Sequence, residues 1–493
     1  MANGESPLEL RMFIDGKGCA ARSGKSYLSY DPCTGAPWAS FPDAAEADVD
    51  DAVGAARGAL GRADWGGLTA SQRGLLLFRI ADVIERHRDE LARLETRENG
   101  KLLREMTAQM AAVPGWLRYF GGLADKIEGR VIPPGRANLL TYTLREPLGV
   151  IGAVTPWNSP ILLAVYTIAP ALAAGNTVVV KPSEIAAAGV VRFAELAASA
   201  GLPPGVINVV TGLGPTGGAL VNHPGVNFVN FTGSTETGRK VGAAATARLA
   251  GVTLELGGKS PNIVFDDADL DAASAGVLSG IFSAGGQSCI AGSRALVQRS
   301  IYDAFLDRLT ERTGRIVIGD PTQPATEVGP VASRQQFDKI AAMVATARDE
   351  GSRVLSGGSA LDGDGYFYQP TILEAGNSAF IARNEVFGPV LTVMPFDDEA
   401  EAVALANDTE FGLAAGVWTT NLSRAHRMAR VLDAGTVWVN MYRASAANVP
   451  FGGFKDSGLG FNNGIEAINK YLRTKAVWCE LGKGQSDPFV LQI

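Results

Sequence analysis

The residue with the clearest potential for chemistry is Cys289, which lies in the segment 285–292 (GGQSCIAG). A thiolate is a strong nucleophile, and the small residues around this thiol leave room for a substrate carbon. A cysteine near a helix start or a cation gains reactivity through a lowered pKa, and we expect a lowered pKa for Cys289. Because most free cysteines are small buried hydrophobic residues, the thiol alone does not decide between a catalytic and a structural role.

Two further polar side chains follow short β-rich runs, Asn158 in 155–160 (TPWNSP) and Glu255 in 254–259 (LELGGK). Burial would raise the pKa of Glu255 toward neutrality and let it activate water, whereas on spacing alone it could form a surface ion pair with Lys259. The Asn158 amide could donate to a developing oxyanion or cap a helix. Local sequence leaves these alternatives open.

Composition excludes several other classes of protein. The chain has 493 residues, 46% of them hydrophobic, which is enough for about two to four globular domains. A net charge of −7 without a basic block gives no case for nucleic-acid binding. The four cysteines (Cys19, Cys33, Cys289 and Cys479) lack disulfide or metal-ligand spacing, so we predict a reducing cytoplasm and no metal site.

Targeting and membrane signals are missing from the sequence. Residues 1–11 are polar and carry two glutamates, unlike a secretion signal or a transit peptide, so we expect no export. The longest apolar run, 161–175, is short for a bilayer and is interrupted by polar residues and a proline. We interpret it as a buried helix.

The pattern of elements predicts an α/β protein. Alanine-rich stretches from 44 to about 122 have helical periodicity, and five β-rich runs (150–154, 177–180, 206–210, 226–231 and 252–255) alternate with helix-compatible stretches. That alternation predicts a doubly wound parallel sheet, which binds dinucleotides at the carboxyl edge of its strands. A second α/β pattern follows 257 and carries Cys289. Residues 139–145 and 471–481 are predicted strands, and 448–460 a loop.

The three segments around Cys289, Asn158 and Glu255 together resemble the NAD(P)-dependent aldehyde dehydrogenase family. The resemblance covers nearly the whole chain and continues through 181–184 (KPSE), 231–234 (FTGS), 385–389 (EVFGP) and 450–453 (PFGG). It implies a dinucleotide-binding domain (1–127 and 148–257), a catalytic domain (258–457) and a β oligomerisation arm (128–147 and 470–493). It also implies a homodimer or homotetramer.

The resemblance implies a mechanism for the three residues. Cys289 attacks an aldehyde, Asn158 and a backbone amide stabilise the oxyanion, hydride passes to the cofactor, and Glu255 activates water to release a carboxylic acid. The residues implied for the substrate tunnel are Ser159, Leu163, Tyr166, Ile290, Arg443, Ser445 and Phe451. If Arg443 points inward, its guanidinium could bind a substrate carboxylate.

A larger set of residues is implied for cofactor binding. These residues are Thr155, Pro156, Trp157, Lys181, Ser183, Glu184, Gly214, Phe231, Thr232, Gly233, Ser234, Leu256, Gly257, Gln336, Glu385 and Phe387. The ordinary GxGxxG fingerprint is absent, but a helix starting near Ser234 would offer its N-terminus to a pyrophosphate. A carboxylate accepts from a ribose 2′-OH and repels a 2′-phosphate, so Glu184 favours NAD, with NADP possible.

Two other activities fit the same nucleophile. A cysteine-dependent acyl hydrolase would use the thiol without a dinucleotide, and a coenzyme-A-acylating dehydrogenase would replace water by a thiol. One segment also departs from the family pattern, because many relatives have Arg-Glu where this chain has Phe461-Asn462.

Overall fold

The computed structural model describes residues 6–482, 484 and 489, in which two α/β halves and a two-stranded arm are formed. The first half contains the strands β1 (Leu8–Glu9), β2 (Met12–Ile14), β3 (Lys17–Cys19), β4 (Ser26–Tyr30), β5 (Pro37–Pro42), β6 (Leu139–Pro147), β7 (Val150–Thr155), β8 (Thr177–Pro182), β9 (Ile207–Val209), β10 (Phe228–Thr232) and β11 (Gly251–Glu255). Its helices are α1 (Glu46–Leu60), α2 (Ala70–Arg86), α3 (Arg88–Asn99), α4 (Leu103–Leu123), α5 (Pro160–Ala173), α6 (Ala188–Ser199), α7 (Gly214–Asn222) and α8 (Thr235–Ala247), with a 3-10 helix at Ala124–Lys126.

The predicted doubly wound sheet is confirmed. Strands β11-β10-β7-β8-β9 lie in that order and are all parallel. Antiparallel β2 and β3 extend one edge of the sheet, and a short antiparallel strand at Gly458–Leu459 extends the other. The chain runs outward from β7 through β8 to β9 and then returns to the other side of β7 at β10. The strand order therefore reverses between β7 and β10, the position at which such sheets bind ligands.

Helices cover both faces of this sheet because its strands are apolar on both sides. Val178 and Val180 belong to a core shared with α2, α4, α5 and α6. Val179, which points the opposite way, packs with residues of α1, α7 and α8. The apolar run at 161–175 forms the buried helix α5, as predicted, and Pro160 occupies its first turn, where a proline costs no hydrogen bond.

Helix α3 anchors the start of two sheet-covering helices with buried carboxylates. Glu95 accepts from the Ile161 N–H of α5 at 2.8 Å. Glu98 accepts from the Ala188 and Gly189 N–H groups of α6 at 2.6 and 3.1 Å. Because the first N–H groups of a helix have no partner within it, these carboxylates satisfy donors that burial would otherwise leave unpaired.

The second half contains the strands β12 (Pro261–Val264), β13 (Arg294–Gln298), β14 (Arg353–Ser356), β15 (Thr371–Glu374), β16 (Val390–Phe396), β17 (Phe411–Gly412), β18 (Ala414–Trp418), β19 (Thr436–Val439), β20 (Phe454–Lys455), β21 (Gly458–Leu459) and β22 (Leu472–Glu480). Its helices are α9 (Leu270–Phe282), α10 (Tyr302–Thr313), α11 (Arg334–Asp349), α12 (Phe380–Arg383), α13 (Glu399–Asn407) and α14 (Leu422–Val431), with 3-10 turns at Ser283–Gly286, Arg299–Ile301 and Ile465–Tyr471. The order β14-β15-β16-β13-β12-β18-β19 is parallel except at β14, which confirms a second α/β sheet.

The loop predicted at 448–460 is only partly correct. It contains β20, which pairs with β17, and β21, which pairs with β11 of the first sheet. A two-residue strand carries no periodic signal, and it forms here because the open edge of β11 offers unpaired backbone groups. Through β21 the second half of the chain reaches the strand that ends at Glu255.

The predicted arm strands are confirmed as β6 and β22, which pair antiparallel over nine residues from Leu139↔Glu480 to Pro147↔Leu472. Leu140, Leu144 and Trp478 are exposed on this two-stranded sheet. Residues 483, 485–488 and 490–493 of the predicted arm lie outside the described residues, as do residues 1–5 of the predicted first domain.

Candidate active site

Cys289 lies in the turn that connects α9 to β13. The chain bends there because Ala284, Gly285 and Gly286 all adopt left-handed conformations, with φ of 57°, 59° and 69°. At Gly286 a Cβ atom would stand 2.0 Å from the Gly388 carbonyl oxygen, so a glycine is needed at that position. The turn leaves Cys289 half-buried, between a packed interior and the surface.

Asn158 reaches the same turn from the first sheet. It follows β7, and its Nδ2 donates to the Gln287 carbonyl oxygen, two residues before Cys289, at 3.1 Å. The capping alternative is not what the structure shows, because Ser159 occupies the N-cap position of α5. The amide therefore joins the cysteine turn to the carboxyl end of β7.

Glu255 ends β11 and is buried, with 4% of its surface exposed. Its Oε1 accepts from Asn462 Nδ2 at 3.1 Å, and among the described residues its buried Oε2 has no hydrogen-bond partner. Burial raises the pKa of Glu255 to about 8. The alternative ion pair with Lys259 does not form, since the Lys259 ammonium is itself buried without a described partner.

The expected lowered pKa of Cys289 is wrong. Burial raises the pKa of this thiol to about 12, and the carboxylates of Glu385 and Glu255 act in the same direction. The Ile290 N–H and the Arg443 guanidinium lower it, but burial outweighs both. The thiol therefore holds its proton at neutral pH in this arrangement, and a base is needed to ionise it.

A cavity of about 530 Å³ opens at the carboxyl ends of β7, β8 and β10. Eleven of the residues implied for cofactor binding line it: Thr155, Pro156, Trp157, Lys181, Ser183, Glu184, Gly214, Phe231, Thr232, Gly233 and Ser234. Asn222, Thr237 and Lys240 line it as well and were not predicted from the sequence. The cavity lies where the strand order of the first sheet reverses.

Two helices begin at this cavity. Helix α7 starts at Gly214, and α8 starts after Ser234, whose hydroxyl accepts from the Thr237 N–H at 3.3 Å. Open space surrounds the position of a Cβ atom at Gly214 and Gly218, so the wall is not filled by side chains there. Helix N-termini attract anions, and the cavity therefore suits a ligand that carries phosphate groups.

Lys181 and Glu184 form a pair at the end of β8, with Lys181 Nζ 3.3 Å from Glu184 Oε2. The Lys181 side chain is buried, and burial lowers its pKa, whereas the Glu184 side chain is 46% exposed. The pair therefore places one hydrogen-bond donor and one acceptor in the cavity, and a ribose diol can bind to both.

Gly257, Gln336, Glu385 and Phe387 were also implied for cofactor binding; they do not line this cavity but lie near the cysteine turn or Trp157. Glu385 Oε1 accepts from the Gly258 N–H at 2.9 Å, and a Cβ atom on Gly257 would stand 2.5 Å from Glu385 Oε2. Phe387 meets the Trp157 ring edge to face at 5.2 Å. Gln336 holds this segment by donating to the carbonyl oxygens of residues 386 and 387 at 2.9 and 3.0 Å.

Leu256 differs from the rest of the cofactor set. A Cβ atom on Gly238 of α8 would meet its side chain, and its N–H donates to the Ser457 carbonyl oxygen at 2.9 Å. The structure thus shows Leu256 packing α8 against β11, with no contact to the cavity of about 530 Å³.

Tyr166 and Phe451, both implied for the substrate tunnel, contact each other near Cys289. Tyr166 stacks on Trp116 at 5.5 Å and meets Phe451 edge to face at 6.5 Å. Burial raises the pKa of Tyr166, and the Asn463 and Ser445 side chains lower it. The charges of Cys289 and Glu255 act in the same direction as burial, which places the Tyr166 ring near both residues.

Ser159 and Leu163 lie one turn apart on α5, where the Leu163 N–H donates to the Ser159 carbonyl oxygen. Ser159 Oγ contacts Lys101 Nζ at 3.2 Å and Gln109 Oε1 at 3.4 Å. The Ile290 carbonyl oxygen accepts from the Tyr442 hydroxyl at 3.0 Å. Lys101 and Gln109 were not predicted, because no residue pattern marks α4 and its start as part of a site.

Arg443 points toward the cysteine turn. Its Nη1 lies 3.3 Å from the Ser283 carbonyl oxygen, and no described carboxylate is within ion-pair distance. Its backbone has φ of 70°, an uncommon conformation for a non-glycine residue and one that clusters at functional sites.

The described residues contain no group of three or more side chains placed to hold a metal ion. Within the same part of the chain, no helix has both the length and the apolar character that crossing a bilayer requires.

The chain belongs to the aldehyde dehydrogenase family, whose sequence model, described as "Aldehyde dehydrogenase family", matches residues 19–477. The (Z)-2-((N-methylformamido)methylene)-5-hydroxybutyrolactone dehydrogenase of Acinetobacter baylyi is 45% identical over 488 residues, 98% of this chain and 100% of that protein. These findings confirm the resemblance inferred from the sequence.

Solved structures of aldehyde dehydrogenases have the same fold as this chain. Betaine aldehyde dehydrogenase from Staphylococcus aureus in complex with NAD+ has a TM-score of 0.96 at 38% identity, covering 98% of this chain and 97% of that one. Aldehyde dehydrogenase from Bacillus cereus in its NAD+ complex has a TM-score of 0.94 at 40% identity, covering 96% and 97%. The predicted fold is therefore confirmed.

Proposed function

We propose that this protein oxidises an aldehyde to a carboxylic acid, with NAD as hydride acceptor and Cys289 as nucleophile. The observation that carries the proposal is that Cys289, Asn158 and Glu255, far apart in sequence, lie around one turn next to a cavity suited to a phosphate-bearing ligand. The NAD+ complexes of the Bacillus cereus and Staphylococcus aureus relatives support the cofactor.

The chemistry begins with loss of the Cys289 proton. The half-buried thiol passes this proton to solvent, so the Glu255 carboxylate remains available for the hydrolytic step. The sulfur then bonds to the aldehyde carbon, and the oxygen becomes an oxyanion within reach of the Asn158 amide and a backbone N–H. NAD, when bound, would accept the hydride from this carbon, and Cys289 would then carry the acyl group as a thioester.

Hydrolysis completes the reaction. Glu255 takes a proton from water as the water oxygen bonds to the thioester carbon. The carbon–sulfur bond then breaks with its electrons on Cys289, and Glu255 releases its proton, which restores the carboxylate. The residues proposed to hold NAD are those lining the cavity together with Gly257, Gln336, Glu385 and Phe387. Lys181 and Glu184 would meet the adenosine ribose, and the Glu184 carboxylate disfavours the 2′-phosphate of NADP.

One experiment tests the activity. A panel of aldehydes is supplied with NAD and, in parallel, with NADP, and absorbance of the reduced cofactor is followed for the wild-type protein and for Cys289→Ala. We expect reduction of NAD by the wild type and none by the variant. Turnover retained in Cys289→Ala would contradict the nucleophile, while ester cleavage without cofactor reduction would indicate the acyl hydrolase. Turnover that requires coenzyme A would indicate the acylating alternative.

Arg443 supports a finer proposal about the substrate, an aldehyde that also carries a carboxylate. Its guanidinium faces the turn of Cys289 without a described carboxylate partner, and a bidentate carboxylate is the ligand that such a group prefers. An Arg443→Ala variant should lose selectivity for succinic semialdehyde over butanal. Unchanged selectivity between these two four-carbon aldehydes would discard this role.

We further propose the domain boundaries, assembly and location implied by the resemblance. The dinucleotide domain is 1–127 and 148–257, the catalytic domain 258–457, and the arm 128–147 and 470–493. The exposed arm residues Leu140, Leu144 and Trp478 support its role in a homodimer or homotetramer. Four free cysteines support a cytoplasmic location.

A further inference from the structure

Asn462 connects Glu255 to a lysine that the mechanism above does not use. Its Nδ2 donates to Glu255 Oε1 at 3.1 Å, while its Oδ1 accepts from Lys470 Nζ at 2.5 Å. Asn230 Nδ2 also donates to this Oδ1, at 3.1 Å, and to the Tyr471 hydroxyl. Asn462 lies in the segment where the sequence departs from the Arg-Glu of many relatives.

The lysine fixes which way the Asn462 amide faces. An ammonium group can only donate hydrogen bonds, so the amide oxygen must face Lys470 and the amide nitrogen must face Glu255. The reversed amide would set its oxygen against the carboxylate and its NH₂ against the ammonium, and both contacts would be repulsive. Lys470 thereby keeps the Nδ2 donor of Asn462 facing the Glu255 carboxylate.

Lys470 is also the cation that acts on Glu255. The other titratable groups whose charges couple to Glu255 are Cys289, Tyr166 and Tyr471, all neutral at pH 7 because burial raises their pKa values. Lys470 lowers the pKa of Glu255, against the effect of burial. Its remaining contacts are the Phe461 carbonyl oxygen at 2.8 Å and the Tyr471 ring at 5.2 Å, and no described carboxylate forms an ion pair with it.

We propose that Lys470 is a positioning residue for the hydrolytic step: through Asn462 it orients Glu255 and favours the carboxylate form that accepts the proton of the attacking water. This inference rests on the proposed function, because it assigns Lys470 a role in releasing the acid from Cys289. Burial lowers the pKa of Lys470, but the charge of Glu255 raises it, so each group favours the charged form of the other.

The first experiment replaces Lys470 by methionine, which keeps the length of the side chain and removes its charge. Steady-state NADH formation and the first-turnover burst are measured from pH 6 to 10 in wild type, Lys470→Met and Lys470→Arg. We expect Lys470→Met to keep its burst, to turn over about tenfold more slowly at pH 7, and to need about one pH unit more for half-maximal rate. Lys470→Arg should restore most of the wild-type profile, and the exposed Lys126→Met serves as control.

The second experiment changes the bridge. Asn462→Asp replaces the donor to Glu255 by a carboxylate, and like charges in contact disfavour ionisation, so half-maximal turnover should move to still higher pH. Thermal unfolding shows whether Lys470→Met folds. If it does not fold, the pH profile of Asn462→Asp tests the proposal in its place.

Equal losses at every pH, with an unchanged midpoint in both variants, would overturn the proposal and leave Lys470 a purely structural residue. Failure of the proposed function is a different observation, because the wild-type protein itself would then show no burst that depends on Cys289.

Discussion

At the scale of single residues, the site depends on side chains whose properties are set by burial. In the folded protein, burial raises the pKa values of the Glu255 carboxyl group and the Cys289 thiol. In an unfolded chain, solvent would surround both groups and their pKa values would be ordinary. Their reactivity therefore exists only in the folded protein. Two predictions belong to this scale.

Replacing Asn158 by alanine should reduce kcat by about two to three orders of magnitude, since one donor to the oxyanion is removed. NAD binding, measured by fluorescence titration, should be unchanged, because the amide contacts the cysteine turn. A kcat within a factor of a few of the wild-type value would show that the oxyanion does not form beside this amide.

The Glu255→Gln variant should form about one equivalent of NADH per active site and then stop. Its steady-state turnover should be lower than that of the wild type by at least about a hundredfold. In the wild type the raised pKa means that the active carboxylate is gained as pH rises, so turnover should increase through about pH 8. Rapid-mixing absorbance measures both effects. Sustained turnover of Glu255→Gln with the same pH profile would contradict the role of Glu255 in activating water.

At the scale of elements, α3 binds the first turns of helices α5 and α6 through Glu95 and Glu98. The Glu98 carboxylate accepts from two buried N–H groups of α6, and burial raises its pKa to about 8. Since this pKa is raised from an ordinary value of 4.5, its contribution to stability is full below about pH 4.5 and is lost as the pH rises through 8.

Glu98→Ala should lower the free energy of unfolding by about 1–3 kcal/mol, because two buried N–H groups lose their acceptor. Glu98→Gln keeps one acceptor oxygen and should lose less, and its stability relative to the wild type should improve between pH 5 and 8. Urea unfolding at several pH values measures this. Exposed Glu90→Ala is the matched control and should change stability by less than about 1 kcal/mol; equal effects of Glu98→Ala and Glu90→Ala would contradict the capping role.

At the scale of the whole molecule, the arm strands β6 and β22 form a separate two-stranded sheet within one chain. A two-stranded sheet is marginally stable in water, and this one exposes Trp478, with 64% of its surface accessible. We expect Trp478→Lys to lower the mass measured by light scattering, because the proposed subunit contact would lose its largest apolar group. Leu422→Lys, at an equally exposed site outside the arm, should not change the mass. An unchanged mass for Trp478→Lys would argue against an arm interface.

The sequence by itself determined the elements and the identity of the three central residues. The β-rich runs at 150–154 and 252–255 appear as β7 and β11 because strand pattern and apolar character are local properties. Cys289, Asn158 and Glu255 could be selected because each lies in a motif that the family shares, and their roles stay a proposal. Eleven of the cavity-lining residues were selected in the same way, whereas Asn222, Thr237 and Lys240 were not.

Only the tertiary structure decided what depends on burial and on contacts between distant segments. It reversed the expected direction of the Cys289 pKa, which follows from desolvation by residues that are remote in sequence. It also brought Asn462 and Lys470 to Glu255, more than two hundred positions away. The physical reason is that solvation and hydrogen-bond partners are properties of the packed molecule, and no local pattern of residue types encodes them.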